Sequence, residues 1–501
     1  MTNSPVKYIC ISDLHLGAQY SVLTKVNPQE LLNFDKKTNE PSSTLQALAN
    51  SIRELVPTVS DPNCPPTLLL LGDILDLSFA SWPETTNTFR TFIKALFPEN
   101  QPSVFAREII LIPGNHDHHL WDSVKDYWYQ KELCKNNSPE FLLQVTKMFS
   151  PPSLPSKILN NILSNIDGCS DMKVVVAYPN LGLKNKDRCV ILHHGHFTES
   201  TYTAMTSLAN WVLKEKTPDT PYYLEWENAS WIDFFWSSLG TSGTMERAGV
   251  DLYATMNNAG GAHAFTKRLA KSLISTVGAN LPVGDSDVSP ELPGVTLEGL
   301  VNGMLDFTVG KIAESERNAF KTVLSPSGVK GLKAYLQMLT LPRYQPGSPV
   351  EYNLSPEDTK KQVSFIFGHT HKPFQDQLIT ENFTQPVNVY NTGGWVLDSP
   401  KMDGTQGAAI VLVDSDLNVA SLRLFNNPLN NDVFEVRAEG VGGYADTVNP
   451  LVQILKEKLK NQKDWGIFTT AFKEGVLLRA RIARRAFFNP EENPPISREV
   501  S

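Results

Sequence analysis

Histidine is concentrated at four places in this sequence, and each place also carries a carboxylate, an amide or a glycine. Nine of the ten histidines lie in these clusters, and His263 is the exception. The clusters are Asp13-Leu14-His15, Gly114-Asn115-His116-Asp117-His118-His119, His193-His194-Gly195-His196 and Gly368-His369-Thr370-His371. A fifth polar element, Gly72-Asp73-Ile74-Leu75-Asp76, falls between the first two. Imidazole and carboxylate groups are the usual protein ligands of divalent transition metals. The clustering therefore predicts a metal site with more ligands than one ion needs.

An amide in the second cluster indicates which metals would suit the site. The amide oxygen of Asn115 would be an unusual ligand for structural zinc, and it suits harder ions such as Mn²⁺, Mg²⁺ or Fe. Two divalent ions about 3.5–4 Å apart can clamp a phosphoryl group and lower the pKa of a bridging water. Such a pair needs one bridging carboxylate and several terminal ligands. The candidate ligands are Asp13, His15, Asp73, Asn115, His194, His369 and His371.

Short apolar runs precede the polar elements and indicate how they are positioned. The runs are residues 6–12, 67–71, 108–113, 189–192 and 363–367. Each has the length and the Ile, Val, Leu or Phe content of a buried strand. Helical patterns over residues 44–55 and 89–97 separate the first strands. Because α/β proteins build their sites just beyond strand ends, we expect the candidate ligands to converge on one rim of a sheet.

The ordered set of motifs DxH, GDxxD, GNHD, HGH and GHTH resembles the calcineurin-like metallophosphoesterase superfamily, over roughly residues 7–395 without an insertion. The resemblance implies an α/β fold, a four-layer αββα sandwich with the site at one sheet rim. It also implies that Asp13, His15, Asp73 and His371 hold one metal ion. Asp73, Asn115, His194 and His369 would hold the other, with Asp73 bridging.

The same resemblance implies roles for His116 and Asp117, and the other polar residues of the clusters are interpreted from their positions. His116 is not a ligand in this pattern; it would protonate the leaving oxygen, with Asp117 as its orienting carboxylate. A hydroxide that bridges the two metals would attack phosphorus in line. His118 and His196 are candidate substrate contacts, with packing or support of the ligands as their alternatives. Asp76 could support the ligands or stabilise a helix start.

The motifs divide the chain into four predicted parts. Residues 1–200 and 361–430 form the two halves of the core, residues 201–360 a mainly helical insertion, and residues 431–501 a C-terminal helical extension. The insertion has helical patterns at 203–214, 265–277, 297–323 and 329–339, and an aromatic stretch at 222–236. It could be a cap whose aromatic residues grip an apolar substrate, or simply a subdomain with its own core. Its position also resembles the cap of the lipid-A-pathway UDP-diacylglucosamine pyrophosphohydrolases, which carry an arginine where this chain has His116.

Composition limits the partners and the compartment. The chain has 501 residues, a formal net charge of −8 and five cysteines without CxxC spacing. The acidic balance disfavours nucleic acid as the main partner. The cysteine usage favours a reduced, cytoplasmic setting, and we expect neither a signal peptide nor a membrane span. Arginines in the helical pattern at 450–488 could contact an anionic membrane surface, or the helix could be a packing helix. The oligomeric state is left open.

These patterns together predict a phosphoester hydrolase that depends on two divalent ions, Mn²⁺, Fe or Zn²⁺. The substrate would be a small molecule or an amphiphile. The alternatives are a nuclease or phosphodiesterase that acts on nucleic acid, and a non-catalytic scaffold that uses the fold for binding. A scaffold would be free to lose ligands, and this sequence offers every expected ligand as well as His116.

Overall fold

A computed structural model describes most of the chain, with gaps. The described residues are 4–27, 36–134, 143–151, 153–213, 220–237, 322–343, 351–397, 402–427, 430–442, 448–460 and 463–488. Their helices are α1 (Ser43–Val59), α2 (Trp82–Leu96), α3 (His119–Leu133), α4 (Lys157–Leu163), α5 (Ala204–Leu213), α6 (Pro221–Ile232), α7 (Pro326–Leu339), α8 (Pro450–Leu459) and α9 (Asp464–Phe488). His263 and the predicted helix at 265–277 lie outside the described residues. Of the predicted helix at 297–323, the described residues include the last two positions, 322 and 323.

The larger sheet has seven strands and mixed direction. In spatial order it consists of β18 (Arg437–Glu439), β15 (Val419–Leu424), β14 (Ala408–Asp414), β1 (Val6–Ile11), β4 (Thr67–Leu70), β5 (Glu108–Leu111) and β6 (Lys173–Val176). Strands β1, β4, β5 and β6 are parallel, whereas β14, β15 and β18 are antiparallel. The helices α1 and α2 connect the parallel strands, as crossover connections require.

The second sheet has five strands. Its spatial order is β12 (Phe374–Leu378), β13 (Val387–Asn391), β11 (Gln362–Phe367), β8 (Arg188–His193) and β7 (Asn180–Lys184). The three central strands are parallel, and the two edge strands are antiparallel to their neighbours. Two-stranded pairs complete the described strands: β2 (Thr24–Val26) with β3 (Lys36–Pro41), β9 (Pro342–Arg343) with β10 (Glu351–Tyr352), and β16 (Asn426–Asn427) with β17 (Asn430–Phe434).

The two sheets face each other across one apolar layer. Cys10, Leu69 and Val411 from the larger sheet belong to the same buried cluster as Val190 and Ile366 from the second sheet. The neighbouring residues on these strands point the opposite way, since side chains alternate along a strand, and they join the cluster that also includes the helices. The helices therefore lie outside two stacked sheets, which confirms the predicted four-layer αββα sandwich.

Local sequence explains where the outer helices begin. Ser42 accepts a hydrogen bond from the Leu45 backbone amide at the start of α1. Ser81 and Glu84 form a capping box at the start of α2. Each device satisfies backbone N–H groups that have no partner inside the helix. The apolar residues of both helices then repeat at helical spacing and pack on the larger sheet.

Helix α7 covers the outer face of the second sheet, although its sequence lies in the predicted insertion. The ring of Tyr335 lies 4.6 Å from that of His193 on β8 and 6.2 Å from that of Phe365 on β11, measured between centroids. Gly331 lets this helix approach the core closely, since a Cβ there would lie 1.9 Å from the carbonyl oxygen of Thr198. This part of residues 201–360 thus supplies a layer of the sandwich.

The C-terminal helix packs on the core. The ring of Phe472 on α9 stacks on Phe425, with centroids 3.5 Å apart. The buried guanidinium of Arg479 donates hydrogen bonds to the backbone oxygens of Ser21 and Thr24, and burial lowers the pKa of this group to about 10. In the described part of the chain no helix combines the length and the apolar character that a membrane crossing requires.

Candidate metal centre

The candidate ligands lie where strands of both sheets end at one rim. Asp13 follows β1, Asp73 follows β4 and Asn115 follows β5, all in the larger sheet. His194 follows β8, and His369 and His371 follow β11, in the second sheet. The parallel direction of these strands within each sheet brings their carboxyl ends together, as the sequence predicted.

The backbone at these positions is in an uncommon conformation. The described residues include nine non-glycine residues with positive φ, and five of them are candidate ligands. These five are Asp13, His15, Asp73, His369 and His371, with φ between 45° and 71°. Such left-handed residues cost free energy and persist where the surrounding structure holds them, most often at functional sites. The fold therefore maintains a locally unfavourable backbone in order to aim these side chains.

Two glycines allow the loops to approach each other. Gly72 has a φ of +81°, and a Cβ there would lie 2.5 Å from Nδ1 of His194. A Cβ on Gly114 would lie 2.3 Å from Oδ1 of Asp73. Both distances are far below a normal contact, so the positions admit only glycine without displacing candidate ligands. The glycines of the GDxxD and GNHD motifs thus have a steric role.

One group of buried donors consists of Asp13, His15 and His371. The Nε2 atoms of His15 and His371 lie 3.1 Å apart, and Nε2 of His371 lies 3.4 Å from Oδ1 of Asp13. Two nitrogen ligands roughly 2.1 Å from one ion, at angles of roughly 90–109°, would be roughly 3.0–3.4 Å apart. The observed spacing matches that of two ligands that share an ion, so this group fits a divalent metal.

A second group consists of Asp73, His194 and His369. Nε2 of His194 lies 3.3 Å from Oδ2 of Asp73 and 3.1 Å from Oδ1 of Asn115. Nδ1 of His194 lies 2.8 Å from the carbonyl oxygen of Leu71, which fixes Nε2 toward the other donors. Oδ2 of Asp73 also lies 3.8 Å from Nε2 of His15 in the first group. Asp73 is thus the carboxylate between the two groups.

The charges of these groups suit cation binding. Burial would raise the pKa of Asp73, but the neighbouring His194 and His116 hold it well below the usual range of a carboxyl. Burial would also raise the pKa of Asp13, but His371 and His194 lower it. Two ionised carboxylates therefore face several imidazoles in a space closed to solvent. This donor set fits divalent metals of intermediate hardness.

A family comparison agrees with this geometry. Residues 6–241 match the model of the calcineurin-like phosphoesterase family. This match, over slightly less than half of the chain, supports the calcineurin-like metallophosphoesterase superfamily. The matched residues include the DxH, GDxxD, GNHD and HGH motifs. The fold brings His369 and His371, which lie beyond the matched residues, to the same cluster. No curated protein matches the chain.

His116 lies beside both donor groups, and with His15 and Asp76 it forms a further buried group of possible metal donors. Its backbone amide donates to Oδ1 of Asp73 at 2.8 Å, and its ring centroid lies 4.7 Å from that of His15. Its Nδ1 lies 3.3 Å from Oδ1 of Asp76. Burial lowers the pKa of His116, although Asp73 and Asp76 act in the opposite direction. The contact of Nδ1 with Asp76 leaves Nε2 as the ring nitrogen available for proton transfer.

The carboxylate that orients His116 is Asp76, which corrects the expected contact from Asp117. The oxygens of Asp117 accept hydrogen bonds from the backbone amides of Gly114 at 2.7 Å, Ile74 at 2.8 Å and Asp73 at 3.2 Å. Asp117 therefore braces the GDxxD loop against the GNHD loop. Burial and the nearby Asp73 raise its pKa to about 6. The sequence suggested Asp117 because it follows His116 directly. In the fold its side chain points away from the His116 ring, toward the place where the two loops cross.

Asp76 contacts two histidines at once. Its Oδ2 lies 2.9 Å from Nδ1 of His15, and its Oδ1 lies 3.3 Å from Nδ1 of His116. Burial would raise the pKa of Asp76, but His116 and His15 hold it well below the usual range. An ionised Asp76 fixes Nδ1 of both rings as hydrogen-bond donors. Asp76 also accepts a hydrogen bond from the backbone amide of Phe79. It therefore both supports the candidate ligand His15 and stabilises the turn that follows it.

The other histidines of the clusters are buried among protein groups. His118 is in contact with Glu225 and Asp122, and His196 lies 3.3 Å from the hydroxyl of Tyr178 through Nε2. His193 packs between the rings of Tyr335 and Phe365. The substrate contacts of His118 and His196 stay a prediction, and the described partners of both are protein side chains.

Three residues near the centre carry no motif; Glu199 and Tyr202 were missed in the sequence, whereas Trp236 belongs to the aromatic stretch already singled out. Oε1 of Glu199 lies 3.3 Å from Nε2 of His369. The ring of Tyr202 lies 5.0 Å from that of His369, and the ring of Trp236 lies 6.2 Å from that of His116. Trp236 belongs to the aromatic stretch of the insertion, so part of that stretch does reach the centre. The only sequence signal for Glu199 is its place five residues after His194.

Proposed function

We propose that this chain hydrolyses phosphoesters and depends on two divalent metal ions. The observation that carries the proposal is the meeting of the two buried donor groups at Asp73, since one carboxylate between two sets of ligands is what a dinuclear site needs. Asp13, His15, Asp73 and His371 would hold one ion. Asp73, Asn115, His194 and His369 would hold the other. Mn²⁺, Fe and Zn²⁺ all suit this mixture of nitrogen and oxygen donors.

The chemistry divides between the metals and the protein. When bound, the two ions would polarise the phosphoryl oxygens and provide a water of lowered pKa as the nucleophile for in-line displacement. The contribution of His116 is a proton for the leaving oxygen. With Nδ1 held by Asp76, the transferable proton of the protonated ring resides on Nε2. Burial lowers the pKa of His116, and the Asp76 carboxylate opposes this by stabilising the imidazolium before transfer.

Aromatic residues restrict water around His116. The ring of Phe79 lies 5.5 Å from it on one side, and Trp236 lies on another. A drier environment strengthens the pairing between His116 and Asp76 and protects the proton from exchange with solvent. The protein residues thus orient the acid, hold the ligands and exclude water, without a covalent intermediate.

Turnover assays with defined metal content test this proposal. The purified protein, stripped and then reloaded with Mn²⁺, Fe²⁺ or Zn²⁺, should hydrolyse p-nitrophenyl phosphate or bis-p-nitrophenyl phosphate. The ratio of the two rates would establish the preference for mono- or diesters. Elemental analysis of the same samples should find two ions per chain. Two bound ions without turnover of any phosphomonoester, phosphodiester, nucleotide or phospholipid would identify a binding scaffold and overturn the proposal.

A further inference from the structure

A cavity of about 500 Å³ lies next to the candidate metal centre. Its walls are residues 197–201, which follow the HGH motif, together with parts of α5, α6 and α7. The volume falls within the range of about 300–1,000 Å³ that is usual for small-molecule sites. Ala334 on α7 lines it and is exposed, so the cavity opens to solvent. A molecule of moderate size can therefore enter from outside.

One residue joins this cavity to the metal centre. Glu199 lines the cavity, and its carboxylate oxygen Oε1 lies 3.3 Å from Nε2 of His369. Short helical turns lie on either side of it, His196–Thr198 and Ser200–Thr203, and the first begins two residues after His194. Glu199 therefore borders both the cavity and the candidate metal centre. A substrate with its phosphoryl group at the centre could reach the cavity past Glu199.

The polar atoms of the cavity are mainly hydroxyls. The Thr198 hydroxyl donates to the Gly195 carbonyl oxygen at 2.6 Å, so its oxygen can still accept a hydrogen bond. The Thr206 hydroxyl accepts from the Asn228 amide at 2.7 Å, so its proton can still be donated. Ser200 and Ser207 line the same space. The cavity wall can therefore both accept and donate hydrogen bonds. Hydroxyl groups of a ligand also accept and donate hydrogen bonds, so they complement this wall.

The charge and the apolar surface of the cavity limit the ligand further. Among its described lining residues Glu199 is the one carboxylate and Lys330 the one amine. The opposite charges make a site without net charge, which gives no reason to bind a second phosphate. Phe197, Leu224 and Met338 provide apolar surface between the hydroxyls. A sugar or cyclitol ring presents the same mixture of C–H faces and hydroxyls.

We propose that this cavity binds the alcohol portion of the phosphoester, and that this portion is an uncharged, hydroxyl-rich ring of sugar or cyclitol size. Glu199 accepts a hydrogen bond from a ring hydroxyl at the side that faces His369. This inference rests on the proposed phosphoesterase activity, and it names the class of substrate. An alkyl chain offers no hydrogen bond to the hydroxyls of the cavity and would displace the water that can bind there, which disfavours an alkyl substrate.

The test compares substrates in the metal-loaded full chain. We would measure kcat/KM for glucose 6-phosphate, myo-inositol 1-phosphate, dodecyl phosphate and p-nitrophenyl phosphate. The substitution Ala334→Phe fills the cavity from the solvent side, and Lys333→Phe on the same helix is the matched control because Lys333 does not line the cavity. We expect Ala334→Phe to lower kcat/KM for the two ring phosphates at least about tenfold more than for the aryl ester. Lys333→Phe should leave the ratios unchanged.

Binding provides a readout that does not depend on turnover. Calorimetric titration of the wild-type chain with glucose 6-phosphate and myo-inositol 1-phosphate should give heats of binding that Ala334→Phe weakens at least about tenfold. The inference would be overturned by a preference for dodecyl phosphate, by equal losses for all four esters, or by ring-phosphate binding that Ala334→Phe leaves intact. Ring-phosphate binding at the cavity without hydrolysis of any ester would instead refute the proposed activity and leave the cavity assignment standing.

Discussion

A buried charge network joins the core to helix α6, and the removal of one of its members provides a quantitative prediction. Glu225 on α6 is fully buried, and its Oε1 lies 2.7 Å from Nζ of Lys125 on α3. Its Oε2 lies 3.2 Å from Nε2 of His118, and Asp122 lies 2.6 Å from Lys125. Burial by itself would lower the pKa of His118, but the Glu225 and Asp122 carboxylates raise it to about 10. At neutral pH two cations and two anions therefore balance.

The substitution Glu225→Gln should destabilise the protein strongly. It leaves two buried cations with one anion, and the loss of one partner from a buried pair costs about 3–5 kcal/mol. His118 can release its proton in the variant, which limits the cost to the lower end, about 3 kcal/mol. The entropy of unfolding is about 2.1 cal/mol/K for each residue, so one kcal/mol shifts the melting temperature of a chain of 501 residues by about 1 °C. The melting temperature should therefore fall by roughly 3 °C.

The pH dependence of this loss follows from His118. Its pKa is higher in the folded protein than in the unfolded chain, where it is about 6.5. The stabilisation is therefore complete below about pH 6.5 and is lost as the pH rises toward 10. Tyr178 and His196, which also face His118, stay neutral in this range because burial raises the pKa of the first and lowers that of the second. The difference between wild type and variant should therefore be largest near pH 6 and shrink toward pH 10.

Urea unfolding at several pH values, followed by tryptophan fluorescence, would measure these differences. Asp126→Asn is the matched control, because Asp126 lies on α3 and is exposed, and such surface changes stay within about 0.5 kcal/mol. A loss for Glu225→Gln no larger than that of Asp126→Asn would refute the role of the network. A difference that stays constant between pH 6 and 10 would refute the protonated state of His118.

The other predictions concern the centre itself. His116→Gln should keep the metals and the fold, as checked by elemental analysis, but lower kcat by about 10²–10⁴-fold. The loss should be smaller for p-nitrophenyl phosphate than for an alkyl phosphate, because a good leaving group needs less protonation. Equal losses for the two esters in steady-state kinetics would argue against a general acid. Gly72→Ala should displace His194 and lower metal affinity, as measured by competition with a chelator, and unchanged affinity would contradict the steric role of Gly72. If Trp236 lines the substrate site, Trp236→Ala should raise KM for large apolar esters more than for small ones. Equal changes in KM for both kinds of ester, together with a lowered melting temperature, would show that Trp236 is only a packing residue.

Local patterns were sufficient to predict how the centre is built. An apolar run followed by a polar loop marks a buried strand and its end, and the parallel order of the strands within each sheet then brings Asp13, Asp73, Asn115, His194 and His369 to one rim. These relations are short in sequence, so the sequence alone reveals them. The left-handed backbone at the ligands was not predicted, because Asp and His adopt it more often than most residues but still only rarely.

Contacts between distant segments account for what the sequence did not predict. Asp76 and Asp117 are equally plausible partners of His116 by type, and only the crossing of two loops decides between them. Glu199 and Glu225 resemble ordinary surface acids in the sequence, since their partners are more than a hundred residues away. Side chains that pair over such separations have no local signature, which is why the polar surroundings of the centre had to come from the structure.

The most direct test of the dinuclear centre is the metal content of Asp73→Asn. The Asp73 carboxylate lies between both donor groups, so its loss should weaken both sites together. Wild type and the exposed control Asp376→Asn should each retain two ions per chain after dialysis against limiting Mn²⁺, as measured by elemental analysis. Asp73→Asn should retain fewer than one. Two ions retained at wild-type affinity would contradict the bridging role of Asp73 and with it the proposed centre.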